Sequence, residues 1–445
     1  MKTIIRPETE MKDSGVEWIK YVPENWNCMP LKRYFQFGKG LPITKADLTE
    51  NGEKVISYGQ IHAKFNTGVS VDDRLIRFVS SEYKSTNPNS LCSKGDIILA
   101  DTSEDKEGCG NAVYIDCDEK IFAGYHTIIL KSAKDNKYLA YLFQSDSWRT
   151  QIQTRVNGVK LFSITQKILN QCTIILPTLS EQQAIADYLD ETCSKIDEII
   201  AEAKASIDEY KELKQAVIFE AVTKGLDKNI NVYKTGNSWI PSLPVGIKLS
   251  RFGLHHDIIL GKMLCPNPRN EEDTLEPYYC AANVHFDGVT GVLKTMWFNS
   301  KEKETYVVHK NDMLIVEGGA GAGGAAIMNE EPPVSTFVQN SIMIVRSHMK
   351  DNRYSCYLVQ ALVKNKYVDV VCNKATIPHF TKEKVSYMPY PVFNRNERNE
   401  IANYLDERCK QIDSLIAEKE SLINDLEAYK KSLIYEVVTG KRRVV

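Results

Sequence analysis

Apolar positions recur every three or four residues along two long stretches of the chain, and this spacing predicts two long helices. A capping-box pattern, Ser180-x-x-Gln183, opens the first stretch, and a looser version, Asn394-x-x-Glu397, opens the second. Neither stretch contains Pro or Gly before Gly225 and Gly440. The predicted apolar seam consists of Ile196, Ile200, Ala203, Ile207, Tyr210, Leu213, Val217 and Ala221 in the first helix, and Ile412, Ile416, Ile423, Leu426, Leu433 and Val437 in the second.

The length of these helices requires a partner. Some 43 helical residues make a rod of about 65 Å, at 1.5 Å per residue. A rod with so narrow an apolar stripe is not stable alone in water. The sequence therefore predicts that the two helices form an antiparallel coiled coil; the alternative is that each helix packs separately on its own globular domain.

The chain repeats itself at an offset of 216 residues. Between Glu181–Thr223 and Glu397–Thr439, 19 of 43 aligned positions are identical. Farther upstream the repeat is weaker: Lys94-Gly-Asp-Ile-Ile-Leu-Ala aligns with Lys310-Asn-Asp-Met-Leu-Ile-Val at the same offset. Gly15-x-x-Trp-Ile-x-x-x-Pro aligns with Gly236-x-x-Trp-Ile-x-x-x-Pro at an offset of 221. The chain is thus two copies of one unit, each a variable globular part followed by a similar helix.

The globular parts are predicted to be mixed. Short apolar or alternating runs at 54–61, 94–100, 112–116 and 125–131 predict strands, and Tyr138–Thr154 and Tyr354–Asn365 predict helices. The expected fold class is α+β, with two repeated mixed α/β domains held apart by the helices about a pseudo-two-fold axis. The predicted domains are 1–178, a central spacer helix at 179–230, a second globular domain at 231–393, and a C-terminal spacer helix at 394–445.

Composition narrows the class of protein. The 445 residues include 56 Lys and Arg against 58 Asp and Glu, so charge alone does not attract nucleic acid. No apolar run approaches the ~20 residues that cross a bilayer, and the N-terminus lacks the apolar core of a secretory signal. Eleven scattered cysteines without a C-x-x-C pattern indicate reduced thiols, and we expect a cytoplasmic protein without a metal site. Residues 1–176 and 231–390 each carry a net charge of +2 and residues 177–230 carry -6, so DNA would favour the globular parts.

The helix openings carry a family resemblance. The pattern E-Q-x-x-I-A-x-Y-L-D-x-x-x-x-x-I-D opens the first helix, is carried by Glu181, Gln182, Ile185, Ala186, Leu189, Asp190, Ile196 and Asp197, and recurs from Glu397 with Arg398 in place of the Gln. With the paired Trp-Ile-x-x-x-Pro segments and Lys94-Gly-Asp-Ile-Ile-Leu, the whole chain resembles the specificity subunit of a type I restriction–modification system.

The resemblance implies a function. In that family each globular part is a target-recognition domain that reads one half of a bipartite double-stranded DNA site. The helices set the spacing and dock two modification subunits, which bind S-adenosylmethionine and methylate adenine; restriction subunits use ATP and Mg²⁺ for translocation and cleavage. The resemblance therefore implies a non-catalytic chain that binds no cofactor itself.

Two alternatives stay open at this point: a self-contained DNA methyltransferase or nuclease, and a coiled-coil scaffold without a DNA role. Gly319–Gly324 matches G-x-G-x-x-G, but Pro332-Pro333 follows soon after, so a Gly-rich hairpin is the preferred interpretation. Glu331-Pro-Pro-Val334 lacks the aromatic residue of an amino-methyltransferase motif. Asp96 with Glu104-x-Lys106 only superficially fits a metal nuclease, and His255-His256-Asp257 favours a structural role.

Base reading requires polar side chains that reach the edges of bases. Gln60-Ile-His62 and Asn283-Val-His285 predict alternating polar side chains on one strand face in each domain; the alternative is an ordinary solvated edge. The full set of candidate DNA-binding residues is Gln60, His62, Lys64, Ser103, Lys106, Tyr125, His126, Lys160, Asn283, His285, Asn340, Lys374, Thr376 and His379.

Overall fold

The computed structural model describes residues 2–132, 134, 137–158, 160–372 and 378–444. The chain divides into two compact units. Unit 1 is Met1–Ala203 with Ser421–Val445, and unit 2 is Lys204–Glu420. Each unit contains one globular part and a segment of both long helices, so the division falls inside the helices, whereas the predicted domain boundaries lie at their ends.

The globular part of unit 1 is built on two four-stranded sheets. The larger is antiparallel, with strands in the spatial order Ala112–Tyr114, Ile97–Ala100, Thr127–Lys131 and Gln36–Lys39. The smaller has the order Arg77–Val79, Glu53–Ile56, Ile121–Ala123 and Leu91–Cys92, with its two middle strands parallel. Ile97–Ala100 is buried along its whole length, because it lies in the middle of the larger sheet with a strand on either side.

Unit 2 repeats this plan with different residues. Its larger sheet is antiparallel, in the order His256–Leu260, Ile342–Ser347, Met313–Val316 and Ala325–Ile327. Its smaller sheet has three strands, Lys294–Phe298, Thr274–Tyr279 and Phe337–Val338, the last two parallel. The faint sequence repeat upstream of the helices is therefore a repeat of sheet topology.

Short pairs of strands complete both units. In unit 1 these are Thr3–Ile5 with Arg442–Val444, Met11–Asp13 with Tyr21–Pro23, Asn27–Pro30 with Thr173–Leu176, and Thr102–Ser103 with Phe162–Ser163. In unit 2 they are Val232–Lys234 with Ser242–Pro244, Lys248–Arg251 with Pro389–Val392, and Val284–His285 with Gly288–Val289.

Short helices lie on the sheets. The predicted helix at 138–154 is two helices, Lys137–Gln144 and Asp146–Gln153, because the backbone at Ser145 is extended and its hydroxyl caps the second helix. In unit 2 the predicted helix Tyr354–Asn365 is the single helix Arg353–Lys364, and a second helix, Tyr367–Val371, follows it as in unit 1. The remaining short helices are Leu31–Tyr34, Tyr58–Ile61, Tyr83–Thr86, Gln166–Leu169, Ser300–Tyr306 and Lys382–Ser386.

The two predicted long helices are confirmed; they run Leu179–Lys224 and Arg395–Val438. In unit 1 the start of the first lies beside the end of the second. The Trp26 indole N–H donates to Glu181 Oε1 at 3.3 Å, and a Cβ on Gly440 would come within 3.0 Å of the same Trp26 ring. Farther along, Lys430 Nζ lies 2.6 Å from Asp197 Oδ2. The two segments are therefore antiparallel.

Unit 2 contains the equivalent contacts. A Cβ on Gly225, after the end of the first helix, would lie 3.4 Å from the Phe393 ring, just before the start of the second. Lys214 Nζ lies 2.7 Å from Asp413 Oδ1, and this pair corresponds to Lys430–Asp197 at the offset of 216. The predicted antiparallel pairing is thus confirmed inside each unit.

Most predicted seam residues are buried. Ile196, Ile200, Ala203, Ile207, Ala221, Ile412, Ile423, Leu433 and Val437 are buried, and Tyr210, Val217, Ile416 and Leu426 are half-buried. The prediction was wrong for Leu213, which is 41% exposed. Helix spacing of three and four residues admits two neighbouring stripes, and Leu213 belongs to the outer one.

The ends of both long helices also share a core with a globular part. In unit 2, Val222 and Leu405 pack in the same buried cluster as sheet residues such as Met343. The buried Tyr138 hydroxyl donates to the Val438 carbonyl at 2.8 Å, and Tyr354 donates to the Val222 carbonyl at 2.9 Å. The helices therefore pack both on each other and on the globular parts.

Two further expectations from the sequence concern the cysteines and membrane-spanning helices. All eleven cysteines are free thiols. Among the described residues, none of the helices is both long and apolar enough to cross a membrane.

Removing the tyrosine hydroxyl at either helix end should destabilise the fold. Tyr138→Phe and Tyr354→Phe each leave a buried carbonyl that has lost its donor, and we expect the free energy of unfolding to fall by about 1–2 kcal/mol. Urea unfolding of the full chain measures this. Tyr404→Phe, on an exposed helix position, is the matched control; equal losses in control and test variants would contradict the assignment.

Candidate nucleic-acid interface

In unit 1, a carboxylate follows the central buried strand of the larger sheet. The backbone of Asp101 is fixed on both sides, because its N–H donates to the His126 carbonyl at 3.1 Å and its carbonyl accepts from Ile164 N at 2.7 Å. The Thr102 hydroxyl donates to Asp101 Oδ1 at 2.7 Å, and His126 Nδ1 lies 3.4 Å from the same oxygen. The Asp101 side chain is 33% exposed, and that of His126 is 56% exposed. This carboxylate–histidine pair is therefore rigidly placed and open to solvent.

Unit 2 also has a carboxylate–histidine pair, with the carboxylate at the equivalent position; the Glu317 side chain is 18% exposed and that of His379 is 59% exposed. Glu317 follows Met313–Val316, its N–H donates to the Ser341 carbonyl at 2.8 Å, and its carbonyl accepts from Phe380 N at 2.6 Å. The Glu317 carboxylate lies 3.2 Å and 3.3 Å, by its two oxygens, from His379 Nδ1. Both Asp101 and Glu317 were missed by reasoning from the sequence, although the 216-residue offset aligns them.

Aromatic rings cluster around Tyr58 and His126 in unit 1. The Tyr58 ring makes edge contacts with Tyr125, His126 and His62, at centroid distances of 5.6, 5.3 and 6.2 Å. His62 Nε2 lies 2.8 Å from the Thr102 carbonyl and its Nδ1 lies 3.1 Å from Asn111 Nδ2, so both ring nitrogens of His62 have partners within the fold. Tyr125 and His126, two of the predicted residues, thus lie together beside Asp101, and only His126 of this cluster is exposed.

The prediction of a polar strand face at Gln60-Ile-His62 was wrong. Gln60 lies in the helix Tyr58–Ile61, where its side chain accepts a hydrogen bond from Ser57 N at 3.2 Å, which is the glutamine half of a capping box. Helical geometry turns residues two positions apart to different faces. The alternation read from the sequence belongs to a helix start, which the pattern Ser57-x-x-Gln60 could have indicated.

The prediction of a polar strand face at Asn283-Val-His285 was also wrong. Asn283 closes a short 3-10 helix, is 3% exposed, and uses its amide to bond Cys280 N and the Thr290 carbonyl. Its side chain is therefore not available to a base. His285 is exposed, with Nε2 3.1 Å from the Ala282 carbonyl.

The other predicted residues vary in accessibility. Ser103 is 2% exposed, so its hydroxyl faces the interior, and Asn340 is half-buried. Lys374 and Thr376 lie outside the described residues. The predicted residues that are exposed on their units are Lys64, Lys106, His126, Lys160, His285 and His379.

The Gly-rich segment is a turn between antiparallel strands. Gly319–Gly324 joins Met313–Val316 to Ala325–Ile327, which pair with each other in antiparallel register. A dinucleotide or phosphate loop of this type opens a helix, whose N-terminus holds the anion. A strand follows here instead, as expected for the hairpin interpretation.

The structure gives His256 an interior role. Its Nδ1 lies 2.9 Å from the Phe252 carbonyl and its Nε2 lies 2.8 Å from Ser355 Oγ, and its ring stacks on Phe252 at 3.9 Å. Burial, with smaller contributions from nearby cations such as Arg398, lowers the pKa of His256 to about 4. Among the described residues, no group of three or more His, Cys, Asp or Glu could hold a metal ion.

Part of the chain is similar to a known protein family. Residues 23–209 match the family described as type I restriction modification DNA specificity domain. Two specificity subunits of Methanocaldococcus jannaschii are similar: that of type I restriction enzyme MjaVIII is 26% identical over 43% of this chain and 44% of its own length. The putative MjaX specificity subunit is 24% identical over 95% of both chains. The match thus spans less than half of the first relative and nearly all of the second.

Solved structures resemble the whole fold. A chain from a study of complex assembly and conformational transition of the type I R-M system has a TM-score of 0.71 at 16% identity, covering 94% of this chain and 99% of that one. The HsdS subunit of Thermoanaerobacter tengcongensis has a TM-score of 0.54 at 15% identity, covering 94% and 98%. The predicted resemblance to type I specificity subunits and the mixed helix–strand fold are confirmed.

The buried histidine predicts a pH dependence of stability. The pKa of His256 is lower in the folded chain than the ordinary value of about 6.5, so as the pH falls through this interval the unfolded chain binds a proton that the folded chain does not. The free energy of unfolding should therefore fall, by at most about 1.4 kcal/mol per pH unit from this group, between about pH 6.5 and 4.

Urea unfolding at about pH 7 and about pH 5 measures the loss. His256→Gln should reduce the difference between the two pH values, even though it lowers stability at both. His285→Gln, at an exposed histidine, should leave the difference unchanged. An undiminished difference in His256→Gln would contradict the assignment.

Proposed function

We propose that this chain is the DNA-specificity subunit of a type I restriction–modification complex and is itself non-catalytic. The observation that carries the proposal is that two unlike globular parts are attached to the two long helices by the same set of contacts. Each globular part reads one half of a two-part double-stranded DNA site, and the helices fix the spacing between the halves. The chain acts in the cytoplasm.

The shared attachment has three members in each unit. In unit 1 the Tyr141 hydroxyl donates to Asp190 at 2.7 Å, and Lys137 Nζ lies 2.8 Å from the same carboxylate. The carboxylate is thus shared between a hydroxyl and a cation. Burial and the hydrogen bond to Asp190 raise the pKa of Tyr141, so its hydroxyl remains a donor at neutral pH.

Unit 2 has the same three groups at the offset of 216. Tyr357 donates to Asp406 at 2.8 Å, and Arg353 Nη1 lies 2.8 Å from that carboxylate. These contacts are retained although the rest of each globular part has diverged. Helices that fix the distance between two half-sites require such constant attachments.

Both long helices also carry a second, exposed apolar stripe, which supports docking of partner subunits. The exposed residues are Ile199 and Leu213 on the first helix and Leu415, Leu422 and Tyr429 on the second, each 40–49% exposed. They are spaced by seven residues or a multiple of seven, so each set lies along one helix face. Ile199 and Leu415, and likewise Leu213 and Tyr429, are equivalent in the repeat, which favours two copies of one partner.

In the proposed complex these partners are two modification subunits, which bind S-adenosylmethionine and methylate adenine. Restriction subunits join them and use ATP and Mg²⁺. Methylation requires the target base to leave the stack and enter a pocket, which is the work of the modification subunit.

Methylation mapping tests the proposal. The chain is expressed with its modification subunits in cells that lack other adenine methylation, and methyladenine is located by long-read sequencing. The expected result is methylation at a single two-part sequence that disappears when this gene is deleted. Absence of any such sequence would overturn the proposal in favour of a scaffold, whereas methyl transfer by the purified chain alone would favour a self-contained enzyme.

The length of the helices should set the gap between the half-sites. Insertion of seven residues after Ala203 and after Lys419, which are equivalent positions, adds about 10 Å of helix to each. We expect the tolerated gap to change while the bases of both half-sites stay the same. Altered bases would contradict a spacing role for the helices.

The exposed stripe should be needed for partner binding. Ile199→Glu with Leu415→Glu places a charge in the stripe of each helix, and we expect weaker co-purification of modification subunits with little change in the stability of the chain. The matched control is Ala201→Glu with Ala417→Glu, which adds the same charges at exposed equivalent positions on another face. Equal loss of binding in control and test would argue against the stripe.

A further inference from the structure

The carboxylate in each globular part is flanked by one histidine and one serine, but the two lie on opposite sides in the two units. In unit 1 one neighbour is His126, which precedes the strand Thr127–Lys131. The other is Ser163, in the short strand Phe162–Ser163 that pairs with Thr102–Ser103. In unit 2 the equivalent neighbours are Ser341 and His379. A histidine thus reaches the carboxylate in both units from positions that are not equivalent in the repeat.

A second exchange makes room for the histidine. In unit 1 Thr102 pairs with Ser163 and its hydroxyl donates to Asp101. In unit 2 the equivalent residue is Gly318, where an added Cβ would lie 3.2 Å from His379 Nδ1. Three aligned positions therefore differ between the units, His126/Ser341, Ser163/His379 and Thr102/Gly318, and the carboxylate–histidine pair is present in both. Inheritance of one ancestral contact does not explain this.

Other carboxylate–histidine pairs in unit 2 lack this equivalence. Asp257 Oδ1 lies 3.3 Å from His348 Nε2, and both side chains are more than half exposed. The sheet register aligns Asp257, opposite Arg346, with Gln36, opposite Lys131, so unit 1 has no carboxylate there. The pair of His309 and Glu331 lies at the opposite end of the strand Met313–Val316, on the side of its first residue. Only the pair at the end of the central strand recurs among the described residues.

The chemistry of the pair suits an amino group on a base. The Thr102 hydroxyl and His126 both approach Oδ1 of Asp101, and no described hydrogen bond involves Oδ2. When Nδ1 of a neutral imidazole donates to a carboxylate, Nε2 carries a lone pair. A carboxylate oxygen in the major groove accepts from N4 of cytosine, whereas an amide in its place favours adenine.

We propose that Asp101 with His126, and Glu317 with His379, are specificity-determining pairs, each of which reads one cytosine in its own half-site through the exocyclic amino group. The inference rests on the proposed function, because it presupposes that each globular part reads DNA. The rigid backbone at Asp101 and Glu317 holds the acceptor in place, which contributes to discrimination because little ordering remains to occur on binding.

Isosteric amides test the pairs in the full complex. Asp101→Asn and Glu317→Gln keep the shape of the side chain but replace one acceptor oxygen by a donor. The full chain with each substitution is expressed with its modification subunits, and methyladenine is mapped by long-read sequencing. Asp257→Asn is the matched control, because it changes a carboxylate–histidine pair that the proposal does not use.

Each substitution should affect one position in one half-site only. At that position we expect the preference for cytosine to fall about 5- to 150-fold, which is the discrimination of a good side chain–base contact, with adenine gaining most. Asp101→Asn and Glu317→Gln should act on different half-sites, and Asp257→Asn should leave the sequence unchanged.

Failure of the proposed function and failure of the cytosine inference give different results in this experiment. If the unsubstituted chain directs methylation to no two-part sequence, the proposed function itself is wrong. If it does, but a half-site lacks any G·C pair or both amide variants leave the sequence unaltered, only the present inference is overturned. If an amide variant abolishes methylation, His126→Asn or His379→Asn decides, since these exposed side chains can change without loss of the strand bonds. A weaker preference for cytosine at one position supports the pair, and an unaltered recognition sequence refutes it.

Discussion

A helix of more than 40 residues with one narrow apolar stripe has to bury that stripe or unfold, and the rest of this structure follows from how it does so. Each long helix buries its stripe against the other, and its ends enter the core of a globular part, as Val222 and Leu405 do in unit 2. The hydroxyls of Tyr138 and Tyr354 then satisfy a carbonyl near the end of each helix, where the helix itself supplies no donor. The same stretches of helix thus pair with each other and hold the globular part, and this arrangement is present in both units.

The duplication separates what the architecture requires from what can vary. Tyr141 with Asp190 and Tyr357 with Asp406 are retained at the same offset, and so are the ion pairs Lys430–Asp197 and Lys214–Asp413. An exposed ion pair contributes only about 0–1 kcal/mol, so retention of both reflects register rather than stability. The turns at the ends of the central strands have changed most, from an acidic loop after Asp101 to a Gly-rich one after Glu317. This is the distribution expected of one scaffold that presents two different reading surfaces.

The sequence predicted the helices well because their signal is long. Dozens of residues with a regular period, repeated 216 positions later, leave little choice of structure. The predicted Asn394–Glu397 box caps the second helix, whereas Thr178 and Glu181, two residues before the predicted Ser180–Gln183 box, cap the first. Leu213 was misassigned because helical spacing alone does not separate the seam from a neighbouring stripe. The antiparallel direction was predicted from the repeat, and contacts such as Lys430–Asp197 then fixed the register, which no single-helix pattern contains.

The candidate DNA-reading residues were predicted less well, for a physical reason. Gln60 and Asn283 are polar residues in apolar surroundings, which suggests exposure, but capping boxes use the same residue types to satisfy backbone groups. Asp101 and Glu317 become noteworthy only when strand pairing brings His126 and His379 next to them from 25 and 62 residues along the chain. Contacts made through tertiary structure are not encoded in any local spacing.

The one departure from the helix-opening pattern shows how the second copy absorbed a change without losing the scaffold. Gln182 donates from its side chain to the Pro177 carbonyl, whereas Arg398 at the equivalent position is buried and donates to the Tyr390 hydroxyl at 2.6 Å. A buried guanidinium needs acceptors, and the position of Tyr390 is occupied by Ile174 in the first copy, which offers none. Burial raises the pKa of Tyr390, so its hydroxyl stays neutral and can accept from Arg398. Arginine at 398 and tyrosine at 390 are therefore explained together, because an arginine beside isoleucine would lose the hydroxyl that accepts from Nη1; Nε of Arg398 has no partner among the described residues.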